Sequence, residues 1–266
     1  MEIEPLIFND INSITELQPD GWEDIIPKMN FYIQSNFCFP IKIIVENEIV
    51  GIGATIVHND TAWLGHIIVH KEKRGKGIGK LITEKLIEIS KSKKCKTIHL
   101  IATDLGAPVY EKVGFLTETE YLFFKDLKIE NPTNNFEHIH KYRKEHKNEI
   151  SIIDKVNSAE ERMCEIENHL EKSFVYYEGN EIEGFYIPTL GEGLIIANNS
   201  RAGIGLLKFH LKTNTKVVLP KDNLIGVSFL YENGFKEFKS AKRMTLGKKR
   251  NVKLENIYNR IGGNIG

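Results

Sequence analysis

At 266 residues and 41% hydrophobic side chains, the chain is long enough for one large domain or two modest ones. Its 36 basic residues balance 36 acidic ones, and a net charge of zero argues against a nonspecific nucleic-acid binder. Cys38, Cys95 and Cys164 show neither metal-ligand spacing nor a disulfide framework, so they read as buried or inert thiols in a reducing compartment. The N-terminus lacks a basic region before an apolar core, and no apolar run approaches the roughly 20 residues of a membrane span. The expectation is a cytoplasmic protein with no metal, no membrane and no nucleic acid among its partners.

Leu6 to Phe8 is a short strand candidate. Trp22 to Gln34 carries Ile25, Ile26, Met29 and Ile33 at helical spacing. Ile41 to Val45 and Ile49 to Val57, rich in β-branched residues around Glu46-Asn47-Glu48, predict a hairpin, and His58-Asn59-Asp60 turns into a strand from Thr61 to Val69. A glycine loop follows, then a helix from Gly77 to Lys91 with an apolar stripe of Ile78, Leu81, Ile82, Leu86 and Ile89. Thr97 to Ile101 is strand-like, Pro108 to Val113 a short helix stopped by Gly114, and Phe115 to Leu127 a strand.

A polar stretch over 128–149 reads as a linker into a second unit. Beyond it the order of the first half returns. A helix from Ala159 to Glu171 precedes strands at Ser173 to Tyr177, Glu181 to Pro188 and Leu194 to Ala197. Then come a helix from Gly203 to Leu211, a strand from Lys216 to Leu219, a helix from Asp222 to Glu232, and a strand after Gly234-Phe235. The echo predicts two related α/β units, divided as 1–129, a linker over 130–148, and 149–266.

The loop Arg74-Gly75-Lys76-Gly77-Ile78-Gly79 joins a β-branched strand to a helix. Its glycines permit a tight turn and leave amide N–H groups uncovered, the helix dipole favours an anion there, and Arg74, Lys76 and Lys80 add positive charge. Pyrophosphate is the ligand this chemistry suits. A Walker A loop would need Ser or Thr after Gly79-Lys80, where Leu81 stands, and the glycine spacing is not that of a dinucleotide fingerprint. A plain glycine turn with solvated lysines is the alternative.

Arg74-x-x-Gly77-x-Gly79 after Ile67-Ile68-Val69 resembles the coenzyme A signature of the GNAT superfamily of N-acetyltransferases. Tyr110, followed four residues later by Gly114-Phe115, resembles that family's second signature. The resemblance implies an α/β (α+β) fold of two GNAT-like domains, each a mixed, mostly antiparallel sheet flanked by helices. It implies acetyl-CoA as co-substrate and acyl transfer to an amine of a small molecule or protein by direct attack on the thioester. Backbone groups of Ile67, Ile68 and Val69 would run beside the pantetheine arm, and Arg74, Gly75, Lys76, Gly77, Ile78, Gly79 and Lys80 would cradle the pyrophosphate. Tyr110 would sit near the sulfur.

Tyr110 is the candidate acid, its unperturbed phenol pKa of about 10 lying near enough to a thiol's to share a proton; the alternative is a ring packed on the sheet. In the family a base on this strand stands four or six residues before the valine, which here means Gly65 or Trp63. Strict strand alternation puts His66 on the opposite face, and a water chain is left to take the amine proton. Trp22 and Trp63 either line an acceptor pocket or pack in the core.

In the second half Ser200-Arg201-Ala202-Gly203-Ile204-Gly205 keeps two glycines but has Ser at the Arg74 position. Leu230 stands four residues before Gly234, and Tyr231 is about 100° around the helix. The whole resembles acetyltransferases with an active N-terminal GNAT domain and a diverged second one. A non-catalytic acyl-CoA sensor or scaffold is the alternative function.

Overall fold

The computed structural model describes residues 1–126 and 136–265. Contacts divide the chain into two compact units. Unit 1 comprises 1–116, 244–249 and 263–265; unit 2 comprises 117–243 and 250–262.

In unit 1, β1 (Glu2–Pro5) precedes a 3-10 segment (Phe8–Leu17) and α1 (Ile26–Gln34). Then come β2 (Cys38–Val45), β3 (Glu48–His58), β4 (Thr61–Val69), α2 (Ile78–Ser92), β5 (Thr97–Ala102) and α3 (Ala107–Lys112). Strands β1 to β5 neighbour one another in chain order. Glu46 and Asn47 both have positive φ, as a two-residue β2–β3 hairpin turn demands. All pairings from β1 to β4 are antiparallel, whereas β4 and β5 run parallel across α2.

Alternate side chains clothe the two faces of this sheet. Leu64 joins Ile78, Ile82, Leu86 and Tyr110 in the core under α2. Trp63 and Ile68 join Ile25, Met29 and Tyr32 in the core under α1. Helix α1 starts four residues later than its apolar spacing predicts, because Gln18 holds the preceding loop open. Its Nε2 donates to the carbonyls of Pro19, Trp22 and Glu23, and its Oε1 accepts from the Ile25 N–H.

Unit 2 contains β6 (Leu116–Phe124, from Thr117 on), β7 (Ile139–Lys141), α4 (Lys147–Ser158), α5 (Met163–Ile166) and β8 (Phe174–Glu178). There follow β9 (Glu181–Ile187), β10 (Leu194–Ala197), α6 (Ser200–His210), β11 (Val217–Pro220) and α7 (Leu224–Glu232). The last strands are β12 (Glu237–Gly247) and β13 (Ile257–Asn259). One sheet runs β13-β10-β9-β8-β7, and β11 pairs with β6. Arg162 and Asp154, both almost fully buried, are joined through three hydrogen bonds of 2.8–3.1 Å.

Three expectations need correction. The division at 129 and 149 is not where contacts divide: β6 after Leu116 belongs to unit 2, while Met244–Lys249 belongs to unit 1 and places Lys248 N–H on the carbonyl of Lys96 beside β5. The proposed linker is structured over 139–148, where β7 pairs with β8 and α4 begins; its residues 130–135, like the predicted strand end at Leu127, lie outside the described residues. The helix predicted from Ala159 to Glu171 forms only in part, as α5 and a 3-10 segment at Glu167–Lys172, and a longer helix, α4, precedes it. Ala159 (φ +57) terminates α4, whose charged exposed face masked its buried Ile150, Ile153 and Asn157.

None of the three cysteines is disulfide-bonded; Cys38 is buried, and Cys164, although exposed, has its thiol pKa pushed up by desolvation and Glu165. Among the described residues no cluster of His, Cys, Asp or Glu could hold a metal, and no helix is long and apolar enough to cross a membrane.

Candidate functional site

Pairing between β4 and β5 stops at Leu64↔Leu100, so beyond it β4 keeps an open edge. His70 N–H donates to Val50 O across β3. By alternation, Ile67 and Val69 present their N–H and C=O groups on the opposite, open edge. The Val69 carbonyl there accepts from Arg74 Nε at 3.1 Å, which ties the next loop to the strand end.

That loop is built on left-handed backbone. Gly75 has φ +75 and Gly77 φ +81, and Gly77 is the N-cap of α2 without any side-chain cap. A Cβ at either glycine would meet nothing within 4 Å, so it is backbone conformation rather than crowding that requires glycine. The first-turn N–H groups of α2 are left without a side-chain acceptor, beside the exposed Arg74, Lys76 and Lys80. Open strand edge, uncapped 15-residue helix and basic rim meet within residues 67–80, an arrangement suited to an extended arm ending in a pyrophosphate.

Parallel β4 and β5 end at the same side of the sheet, and α3 follows directly on β5. Its tyrosine spacing is a helix stop: Phe115 N–H bonds Tyr110 O, and Gly114 N–H (φ +95) bonds Glu111 O. These are the two bonds of a Schellman motif, and the Tyr110 and Phe115 rings make its accompanying contact at 6.2 Å. The Tyr110 ring lies against Gly106, where a Cβ would come within 2.8 Å of it. Desolvation pushes the Tyr110 phenol up to about 12, above the value of about 10 for a free phenol.

His66 is where strand alternation misleads. It has φ +50, and the β3–β4 register shifts between Ile52 and Ala54, so His66 is the extra residue of a β-bulge. After the bulge Ile67 falls on the α2 side, while His66 stays with Gly65 on the α1 side. There His66 Nδ1 is 3.0 Å from Tyr32 Oη, and its ring meets the edge of Trp22, with centroids 6.1 Å apart. Desolvation and the Lys28 charge depress its pKa to about 4, so the imidazole is neutral near pH 7.

Trp22 is 46% exposed beside His66 and has surface to offer an acceptor; Trp63 is fully buried against His99 and is a core residue. Two members of this cluster carried no usable signal in sequence. Tyr32 reads as one more apolar position of α1. Asn264 lies 232 residues further along and donates from Nδ2 to Tyr32 Oη within unit 1. A groove of about 500 Å³ over α2, lined by Ile3, Leu81 and Glu88 among others, shares no residue with these groups.

Unit 2 keeps the framework and closes the cleft. Gly203 and Gly205 sit inside α6, which Asn199 caps through Ala202 N–H. Their Cβ atoms would lie 2.1 Å from the Tyr258 ring and 2.7 Å from Tyr176, so these glycines serve packing. Strand β13 pairs with β10, and Val218 O of β11 accepts from Arg260 N–H, putting the chain itself where unit 1 has an open edge. Asn259 secures it with bonds to Glu192 O, Gly193 O and Val218 N–H. Leu230 replaces Tyr110 within an identical helix stop, and Tyr231 points to solvent, bonded to Glu237. If the open edge in unit 1 takes an extended ligand, calorimetric titration should find one equivalent per chain; two equivalents would mean that β13 leaves its cleft.

Residues 7–115 match the acetyltransferase (GNAT) family model. That match covers less than half of the chain. A 55-residue stretch is 42% identical to glucosamine 6-phosphate N-acetyltransferase of Trypanosoma brucei brucei, covering 20% of this chain and 37% of that protein. Fold similarity extends past the matched residues. A Pyrococcus horikoshii protein with a provisional acetyltransferase name is similar over 100% of this chain and 95% of its own, with TM-score 0.82 and 22% identity. A GCN5-related N-acetyltransferase from Anabaena variabilis is similar over 92% of this chain and 72% of its own, with TM-score 0.58 and 11% identity.

Proposed function

We propose that unit 1 is a GNAT domain, an acetyl-CoA-dependent N-acetyltransferase that moves an acetyl group to a primary amine, and that unit 2 is a diverged GNAT-like domain. The observation that carries this reading is the open edge of β4 leading into the uncapped, glycine-built N-terminus of α2. Ile67 and Val69 offer main-chain partners to the amide groups of the pantetheine arm. Gly75 to Lys80 offer N–H groups and positive charge to the pyrophosphate. The Trypanosoma relative supports an acceptor class, an amine on a small polar molecule; protein amines are the wider alternative.

The amine lone pair attacks the acetyl carbonyl, a C–N bond forms, the C–S bond breaks, and sulfur leaves as thiolate. Tyr110, with its phenol held near 12, keeps its proton and stabilises the thiolate as a hydrogen-bond donor, since a thiol is several units more acidic. The amine proton leaves through water. A screen of amines with acetyl-CoA, following thiol release, tests this reading. Turnover on an amine supports it; coenzyme binding without turnover on any amine points instead to an acyl-CoA sensor.

A further inference from the structure

Strand β7 of unit 2 is fastened at one end by a histidine that uses both of its ring nitrogens. His146, only 4% exposed, lies in the turn between β7 and α4. Its backbone N–H donates to Arg143 O at 2.9 Å, and its Nδ1 accepts the Arg143 N–H at 3.1 Å. A backbone N–H can only donate, so Nδ1 carries no hydrogen and the neutral ring carries its one hydrogen on Nε2. That hydrogen is donated to Tyr177 Oη on β8, 3.1 Å away. The strand held in this way is short. It pairs with β8 at Ile139↔Tyr176, His140↔Val175 and Lys141↔Phe174, with Tyr142 N–H on Ser173 O and Tyr177 N–H on His138 O beside them.

A second proton on His146 has one place to go, Nδ1, where the Arg143 N–H already points. The imidazolium would lose that bond and set two donors against each other. The Tyr142 and Tyr177 rings pack edge-on to the imidazole, with centroids 6.0 and 5.8 Å away. Burial holds the His146 pKa below its ordinary value. The charges that face it, Glu145 in the turn and Glu149 on α4 against Arg143 in the turn and His140 on β7, pull in opposite directions.

We propose that His146 is an acid-sensitive catch: its protonation frees the Arg143–His146 turn, and β7 with it, leaving β8 as the open edge of its sheet. Because the folded-state pKa lies below the free value of about 6.5, the catch stabilises fully above that pH. Its contribution is lost as pH falls from about 6.5 toward the folded-state value.

The test is amide hydrogen exchange of the full chain between pH 8 and pH 5, read as protection factors so that the intrinsic pH dependence of exchange cancels. The amides of Tyr142, Arg143 and Tyr177 are expected to keep constant protection above pH 6.5 and to lose about tenfold per pH unit below it, the limit for one proton taken up on opening. Amides of the β9–β10 pairing should hold their protection over the same range. His146→Asn retains a side-chain acceptor for the Arg143 N–H and has no proton to gain, so its protection should be independent of pH. Tyr177→Phe removes the Nε2 partner but not the conflict at Nδ1, so the fall with acid should remain. Constant protection in wild type down to pH 5 overturns the proposal. So does an acid-induced fall that survives in His146→Asn, which would assign the effect to His138 or His140.

Discussion

Gly77→Val is expected to weaken coenzyme binding by roughly 100-fold or more, about 2.7 kcal/mol, measured by calorimetric titration. Two effects add. A β-branched residue held at the φ of +81 seen here is strained by ~1–2 kcal/mol or more. The loop relieves that strain by rotating the peptide planes on either side of residue 77, which turns N–H groups away from the anion; helix-terminus interactions with charge are worth up to ~2 kcal/mol. Gly79→Ala is the control. Residue 79 has helical backbone, and a Cβ there meets only Val69 Cγ2 at 3.8 Å. The alanine variant should therefore fold at least as well as wild type, so lost affinity there would report crowding of the ligand itself. Equal affinity in wild type and Gly77→Val would remove this loop from the coenzyme site.

Tyr110→Phe is expected to lower kcat by about 10- to 100-fold, the worth of a hydrogen bond to a charged group at ~1.5–3 kcal/mol. Coenzyme affinity should stay within twofold, since the ring and its contact with Phe115 remain. The pH dependence discriminates further. A phenol raised to about 12 stays protonated throughout the accessible range, so Tyr110 contributes no fall in rate near pH 10, where an unperturbed phenol would. On the acid side, His66 with a pKa of about 4 gains its proton only below the range in which a free histidine would, so protonation of the acceptor amine sets the acid limb above pH 5. The variant and wild-type profiles should thus share one shape and differ in height. A basic limb present in wild type and absent from Tyr110→Phe would show that the phenol titrates in function.

The glycine loop was legible because its requirements are local. Positive φ at residues 75 and 77 and a helix starting at 78 are encoded in a dozen adjacent residues, and the meaning of glycine there does not depend on what packs around it. The same holds for the tyrosine–glycine spacing, which is a Schellman helix stop in both units. Its recurrence at Leu230 shows that the spacing encodes the stop alone, whichever side chain precedes it. The glycines of α6 carry the opposite lesson. They look like a worn copy of the phosphate loop, yet the Tyr258 ring and Tyr176 explain both of them by packing.

What sequence alone determined about this chain is the α/β order, the hairpins, the helix stops and the glycine turn that starts α2, all properties of short segments with their own backbone demands. Tertiary structure decided the rest. One bulged residue reverses which face His66 looks toward, and a period-two pattern cannot register an insertion that costs no residue type. Strand β13 fills the second cleft, and β12 contributes to both units, because strand partners are chosen by edge complementarity and not by order in the chain. Asn264 reaches Tyr32 across 232 residues, a contact that only folding can specify.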